Sequence, residues 1–243
     1  MMDWQALSLA CRRANAAYIE ADNASKAAFA TLGDTWIGQV QGKSYQAVLS
    51  VDNAGKTWLS ISGTRASQGA LMDVLRDVQL DPVAVDGGHV TAGVAEDMDE
   101  IWCWAQKLAP EGTVFNLTGH SLGAARVQAS VAFVKPEQIG LMFAFASPKF
   151  IAADLFKSHA AVFARMVACV NGADGWCSWP WFDRRWQCRA PIPTVWLKND
   201  QGAFQILPDG NQWQGGFAFG DHDIDNYQKR LETLAAAPMK PAA

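Results

Sequence analysis

The segment that most constrains this chain runs from Val114 to Val134. An apolar, β-like run, Val114-Phe115-Asn116-Leu117, leads into Thr118-Gly119-His120-Ser121-Leu122-Gly123, and an Ala-rich helical pattern follows from Ala124 to Val134. A strand that passes at once into a helix is the building step of a sheet covered by helices. The serine stands at the apex of a Gly-x-Ser-x-Gly turn, where its hydroxyl would be presented as a nucleophile. The two glycines tolerate unusual dihedral angles and let strand and helix approach closely. The pattern alone is also compatible with an ordinary strand–helix turn, so its partners have to carry the argument.

The remaining sequence supplies the elements of such a fold. Leu7, Cys11, Ala14 and Tyr18 recur at helical spacing, which predicts one amphipathic helix over about residues 3–30. Three β-like runs follow, Trp36–Gln41, Tyr45–Val51 and Thr57–Ser62, with turn chemistry in Val51-Asp52-Asn53-Ala54-Gly55. A short helix is expected over 70–78 and a longer one over 93–108. Then come a strand over 139–146, a helix over 151–161, a strand over 163–170 and an irregular stretch over 172–193. Strands over 194–198 and 203–207, a helix over about 223–234 and a frayed tail over about 235–243 complete the chain. Strands alternating with helices imply a mostly parallel central sheet with helices on both faces. With no internal repeat and no linker, residues 1–243 read as one α/β domain.

Composition narrows the function. Half of the residues are hydrophobic and the net charge is −4, enough apolar material for a sizeable core. No basic stripe appears, which argues against a nucleic-acid partner. No apolar run is long enough for a transmembrane helix. Arg12, Arg13, Glu20 and Asp22 interrupt the first thirty residues, which therefore do not read as a signal peptide. A cytoplasmic location is the default expectation, with release by lysis or a dedicated exporter as the alternative. The five cysteines, Cys11, Cys103, Cys169, Cys177 and Cys188, include no CxxC pair, so no metal is expected. Cys177 and Cys188 flank a loop and could pair under oxidation, although reduced thiols are the default.

A serine needs a base to take its proton and an acid to orient that base. Of the four histidines, His120 adjoins Ser121 and must point elsewhere. His159 lies in an Ala-rich helical stretch, and His89 sits near the expected start of a helix. His222 lies in Gly220-Asp221-His222-Asp223, a loop before the last helix, where catalytic groups concentrate. Asp174 follows the run ending Val170-Asn171-Gly172-Ala173, at the C-terminal end of an expected strand, where sites gather on open α/β sheets. Asp154, Asp183 and Asp200 compete for the acid role. The order Ser121, Asp174, His222 is that of the α/β-hydrolases. An oxyanion needs two donors. The amide of Leu122, next after the nucleophile, is one; Thr64, in the strand-ending Ile61-Ser62-Gly63-Thr64-Arg65, is the candidate for the other.

Taken in order, these pieces resemble the class 3, fungal-type lipases of the α/β-hydrolase superfamily. Ser62-Gly63-Thr64 resembles the oxyanion turn, Leu71 to Asp77 the lid-and-aspartate segment, and His89 to Val94 the entry to the next helix. Gly119 to Gly123 resembles the nucleophile elbow, Ala146-Ser147-Pro148-Lys149 the turn after the next strand, and Val170 to Asp174 the acid position. Asp221-His222 with Tyr227 resembles the terminal His-to-Tyr pattern. The resemblance spans roughly residues 32–234. It departs at Ser62, where the family usually has Arg, at Ala124, where a second glycine commonly follows the elbow, and at Gly175-Trp176-Cys177, which opens an insertion.

The resemblance implies a lipase or esterase working through a Ser121-His222-Asp174 triad and an acyl-enzyme, with Thr64 and Leu122 at the oxyanion and no cofactor. Phospholipase A1 or thioesterase chemistry would use the same residues, and a non-catalytic lipid-binding module is the rival from another class. The expected partners are an acyl ester or lipid and, transiently, a lipid interface. The insertion carries Trp176, Trp179 and Trp181, which either wall an acyl chain or pack on the core; residues 66–78 are a candidate lid. Asp221, Asp223, Asp225 and Glu232 have the spacing of a calcium loop, but Asn226 stands where that loop needs glycine and the segment reads as helix.

Overall fold

The structure, a computed structural model, describes residues 2–42, 45–64, 79–199 and 202–236. Eight strands form one sheet: β1 Thr35–Gln41, β2 Gln46–Val51, β3 Thr57–Ile61, then β6 Phe115–His120, β7 Ile139–Phe145, β8 Met166–Asn171, β9 Thr194–Leu197 and β10 Phe204–Leu207. Their order is β1-β2-β3-β6-β7-β8-β9-β10. The pairings from β3 through β9 are parallel, whereas β1–β2, β2–β3 and β9–β10 are antiparallel. The centre is therefore the expected parallel sheet, and it carries an antiparallel meander at one edge and a hairpin at the other.

The central strands bury both faces, so their side chains divide by alternation into two cores. Leu59, Ile61, Leu117, Met142 and Ala144 join one cluster, with helix α4 (Met98–Leu108) and helix α5 (Leu122–Ala129). Trp58, Phe143, Phe145, Val195 and Leu197 join the other, with helix α1 (Trp4–Ala16) and the last helix, α8 (Ile224–Ala236). Thr118, on the α1 face of β6, donates its hydroxyl to the carbonyl of Ala10. Asp3 caps α1 by accepting the Ala6 amide.

Several elements differ from expectation for identifiable reasons. The single helix over 3–30 is two, α1 and α2 (Asp22–Thr31). Between them Tyr18 and Ile19 make tight i−3 bonds to Asn15 and Ala16, and Gln46 of β2 takes the freed Ile19 carbonyl. Tertiary contacts thus end the helix where its sequence could have continued. The helix over 93–108 is also split, into α3 (Ala92–Ala95) and α4. Asp97 between them has φ 68°, and the buried Arg126 of α5 donates to the carbonyls of Gly93 and Glu96 at the break.

A hairpin absent from the sequence reading, β4 (Pro82–Val85) and β5 (Gly88–Thr91), holds His89 in a strand. Its turn is Asp86-Gly87, a dipeptide of strong hairpin preference, with Gly87 at φ +82°. The helix over 151–161 is two short ones, α6 (Ala153–Ser158) and α7 (Ala160–Phe163). The helix after the elbow ends at Ala129, not Val134, and α8 extends through Ala235 and Ala236. The expected helix over 70–78, the candidate lid over 66–78, Asp200 and the tail from 237 lie outside the described residues. Among the described residues, no helix is long and apolar enough to cross a membrane.

Candidate active site

The elbow is built as its glycines require. Ser121 sits at φ 58° and ψ −127°, a conformation that a non-glycine residue holds only under constraint. The constraint is visible: the Ser121 amide donates to the Phe145 carbonyl on β7, and its own carbonyl accepts from Ala124 and Ala125 of α5. A Cβ on Gly119 would stand 2.5 Å from the Gly123 carbonyl oxygen, and one on Gly123 would stand 2.2 Å from that of Ile61. Strand, helix and the end of β3 are therefore in direct backbone contact around the serine.

Ser121, His222 and Asp174 meet there, from three separate elements. The Ser121 Oγ lies 2.9 Å from His222 Nε2, and His222 Nδ1 lies 3.0 and 2.9 Å from the two Asp174 oxygens. The carboxylate fixes the tautomer: Nδ1–H donates to Asp174, and Nε2 is left to accept the serine proton. All three side chains are buried. Asp174 follows β8 and caps the turn Gly175–Ser178 by accepting the Trp176 amide. The His222 loop is clamped to this turn. The Asp221 carboxylate accepts the Ala173 amide, its carbonyl accepts from Asn171 Nδ2, and Arg230 of α8 donates to Asn171 Oδ1.

Asp174 also accepts from the Tyr227 hydroxyl at 2.8 Å and the Cys177 thiol at 3.2 Å. Burial by itself would raise its pKa. The charge of His222 and the bonds from His222, Tyr227 and Cys177 outweigh that and hold it below the ordinary carboxylate value. Burial first, and then the Asp174 charge, push the Tyr227 and Cys177 groups up, so both remain protonated donors. The competing acids are engaged elsewhere: Asp154 with the exposed His89 at 2.6 Å, and Asp183 with Arg185 at 2.7 Å. His159 bonds the Asp86 carbonyl.

The turn after β3 lies against the elbow. A Cβ on Gly63 would fall 2.7 Å from the Ser121 Cβ. The Gly63 amide donates to the Tyr18 hydroxyl and is thereby occupied. Among the described residues, the Thr64 and Leu122 amides donate to no protein acceptor, and the Thr64 hydroxyl is buried without a partner. Cys177 and Cys188 are unpaired, and the Asp221 carboxylate is used in the clamp described above. No group of three or more metal-ligating side chains occurs among the described residues.

The tryptophan-rich stretch packs beside His222. Trp176 and Trp179 belong to the larger core cluster, with the Trp176 ring 6.2 Å from His222 and 5.0 Å from Phe219. Trp181 is 41% exposed, 4.6 Å from Trp179 and 6.0 Å from the exposed Phe217. Sequence reasoning missed Tyr18, Cys177 and the use of His120; none of them carries a local motif for the contact it makes.

No protein-family model and no curated protein sequence matches the chain. Solved structures do. Lipase II from Rhizopus niveus superposes with a TM-score of 0.68 at 14% identity, covering 90% of this chain and 92% of that one. The Lip2 lipase from Yarrowia lipolytica gives 0.66 at 15%, covering 90% and 87%. A triacylglycerol lipase from Penicillium expansum gives 0.61 at 12%, covering 91% and 90%. On this likeness, the chain has the α/β-hydrolase fold of these fungal lipases.

Proposed function

We propose that this protein is a serine carboxyl-ester hydrolase acting on acyl esters of lipids. The observation that carries the reading is the continuous hydrogen-bonded chain from Ser121 through His222 to Asp174, set on a strained elbow. The Ser121 Oγ attacks the acyl carbonyl while His222 Nε2 takes its proton, and the Asp174 carboxylate stabilises the imidazolium. Negative charge develops on the carbonyl oxygen, where the amides of Thr64 and Leu122, with the Thr64 hydroxyl, are disposed to receive it. His222 then protonates the departing alkoxide. Water, activated by the same imidazole, attacks the acyl-serine, and Ser121 recovers its proton. The reading needs no metal or organic cofactor.

The fungal lipases of the same fold support a lipid ester, and the exposed Trp181 with Phe217 and Phe219 supplies an apolar approach for its acyl chain. Phospholipase A1 and thioesterase activity would share every step.

The test is covalent labelling by a fluorophosphonate together with hydrolysis of p-nitrophenyl esters of graded chain length. Ser121 should be labelled, and Ser121→Ala should lose both labelling and turnover, the latter by at least about 10⁴-fold. Trp181→Ala should lower activity on long acyl chains more than on short ones. Ester hydrolysis surviving in Ser121→Ala sinks the mechanism, and an equal effect of Trp181→Ala at all chain lengths sinks the acyl contact.

A further inference from the structure

We propose that Tyr18 and His120 are positioning residues that lock the oxyanion turn and the His222 loop to the nucleophile elbow. The inference rests on the reading of Ser121, His222 and Asp174 as the catalytic groups, and it adds to them a second hydrogen-bonded chain running behind the serine. The Gly63 amide donates to the Tyr18 hydroxyl at 2.9 Å, the Tyr18 hydroxyl meets His120 Nδ1 at 2.8 Å, and His120 Nε2 meets the His222 carbonyl at 2.8 Å.

The proton positions in this chain are determined. The His222 carbonyl can only accept, so His120 Nε2 carries a hydrogen and donates it. In a neutral imidazole Nδ1 is then the acceptor. Tyr18 must therefore donate to Nδ1, and its oxygen keeps a lone pair for the Gly63 amide. Every member is satisfied, and the direction of donation is the same from Gly63 to His222. A protonated His120 would leave Tyr18 facing an N–H donor. Burial, and after it the charge on His222, lower the His120 pKa to about 3, so the imidazole stays neutral and the chain intact at ordinary pH.

The chain links three pieces whose mutual placement sets the chemistry. Gly63 precedes Thr64 and approaches the Ser121 Cβ so closely that no side chain fits between them. His120 is the residue before the nucleophile. The His222 carbonyl belongs to the base itself. The fourth piece, Tyr18, comes from the link between α1 and α2 and is fixed there by the Gln46 bond to Ile19. A displacement of the oxyanion turn relative to the serine by a fraction of an ångström weakens bonds that form only in the transition state. Such a fault lowers kcat and leaves substrate binding alone.

Tyr18→Phe tests this, because it removes the hydroxyl and keeps the ring in its edge contact with His120, 5.9 Å between centroids. On p-nitrophenyl butyrate kcat should fall about tenfold or more with KM within about twofold of wild type. The inhibition constant of an alkyl boronic acid, which mimics the tetrahedral intermediate, should rise by a similar factor. His120→Phe should behave alike, and His120→Gln, whose amide supplies both a donor and an acceptor, should recover most of that loss. Because the two residues act through one chain, the double variant Tyr18→Phe/His120→Phe should fall no further than the worse single one. An unchanged kcat in Tyr18→Phe, a loss confined to KM, or losses that multiply in the double variant would each overturn the proposal.

A measurement on the wild-type protein is independent of folding in the variants and of catalysis. By ¹⁵N NMR His120 should be the neutral Nε2–H tautomer at pH 7, and the Gly63 amide should exchange slowly with solvent. A charged or Nδ1–H His120 refutes the relay even in an active enzyme. Failure of the fluorophosphonate to label Ser121 refutes the hydrolase reading instead.

Discussion

Asp174 accepts hydrogen bonds from His222, Tyr227, Cys177 and the Trp176 amide while fully buried. Its function at the residue scale is to be an acceptor and nothing else. Asn at this position would turn one of the two oxygens into a donor, facing the Tyr227 and Cys177 donors or His222 itself. His222 would then favour the wrong tautomer for accepting the serine proton. Asp174→Asn should therefore lower kcat by about 10⁴-fold with KM little changed, read from steady-state hydrolysis of a soluble ester. A loss under about tenfold would mean that Asp174 is not the orienting acid. The three residues that the structure brings into one hydrogen-bonded chain were legible in the sequence because each belongs to a local pattern: a strand–turn–helix motif for Ser121, a strand end for Asp174, a loop before a helix for His222. Tyr18, Cys177 and His120 were not. Tyr18 acquires its partners 45 and 102 residues away in the chain, and nothing in its neighbourhood marks it.

Helix α1 shows how an element far from the serine in sequence comes to support it. Its Ala10 carbonyl accepts from Thr118 on β6, the strand that leads into Ser121, and its end delivers Tyr18. Arg13 anchors it from within the protein. The guanidinium makes a bidentate pair with Asp34, at 2.7 and 2.6 Å, and lies 4.2 Å from the Trp58 ring. Ser50 donates to the same carboxylate. Arg13 and Asp34 are both buried, so Arg13→Ala would strand a carboxylate without its counter-charge. It should cost about 3–5 kcal/mol of unfolding free energy, measured by urea denaturation; a cost below about 1 kcal/mol would show that the pair does not anchor the helix. The amphipathic spacing of Leu7, Cys11 and Ala14 foretold this helix and its buried face. Its end after Ala16 was not foretold, because Ala17 and its neighbours permit helix and only the contacts of Tyr18 and Ile19 forbid it. The break at Asp97 has the same origin, in carbonyls claimed by Arg126. The β4–β5 hairpin is marked in the sequence only by its Asp86-Gly87 turn, because strands of four residues each are too short to carry a clear alternation.

At the scale of the whole molecule, Ser121 and Asp174 follow the C-terminal ends of central strands β6 and β8, and the side chains of the proposed triad and of His120 are buried within the fold. This couples the stability of the protein to pH in a stated direction. His120 is buried against Tyr18, His222 and Tyr227, within reach of the Asp174 charge. Its pKa is about 3 in the folded protein, against about 6.5 when unfolded. Between those values the unfolded chain binds a proton that the folded one excludes. The free energy of unfolding therefore falls as pH falls from about 6.5 toward 3, by about 1.4 kcal/mol per pH unit from this group. Asp174 acts in the same sense at lower pH. Its folded pKa lies below the ordinary carboxylate value, so its contribution is complete above about 3.9 and is lost as the pH falls through the folded value. His120→Gln carries no titrating group at this position. The variant is expected to be less stable than wild type at pH 7 and to lose less stability on acidification. Between pH 6.5 and 4.5 the wild type should lose about 2–3 kcal/mol more than the variant, from urea midpoints and slopes at each pH. Parallel curves for the two proteins would mean that His120 takes up a proton as readily in the folded state as in the unfolded one, and the lowering of its pKa by burial would then be excluded.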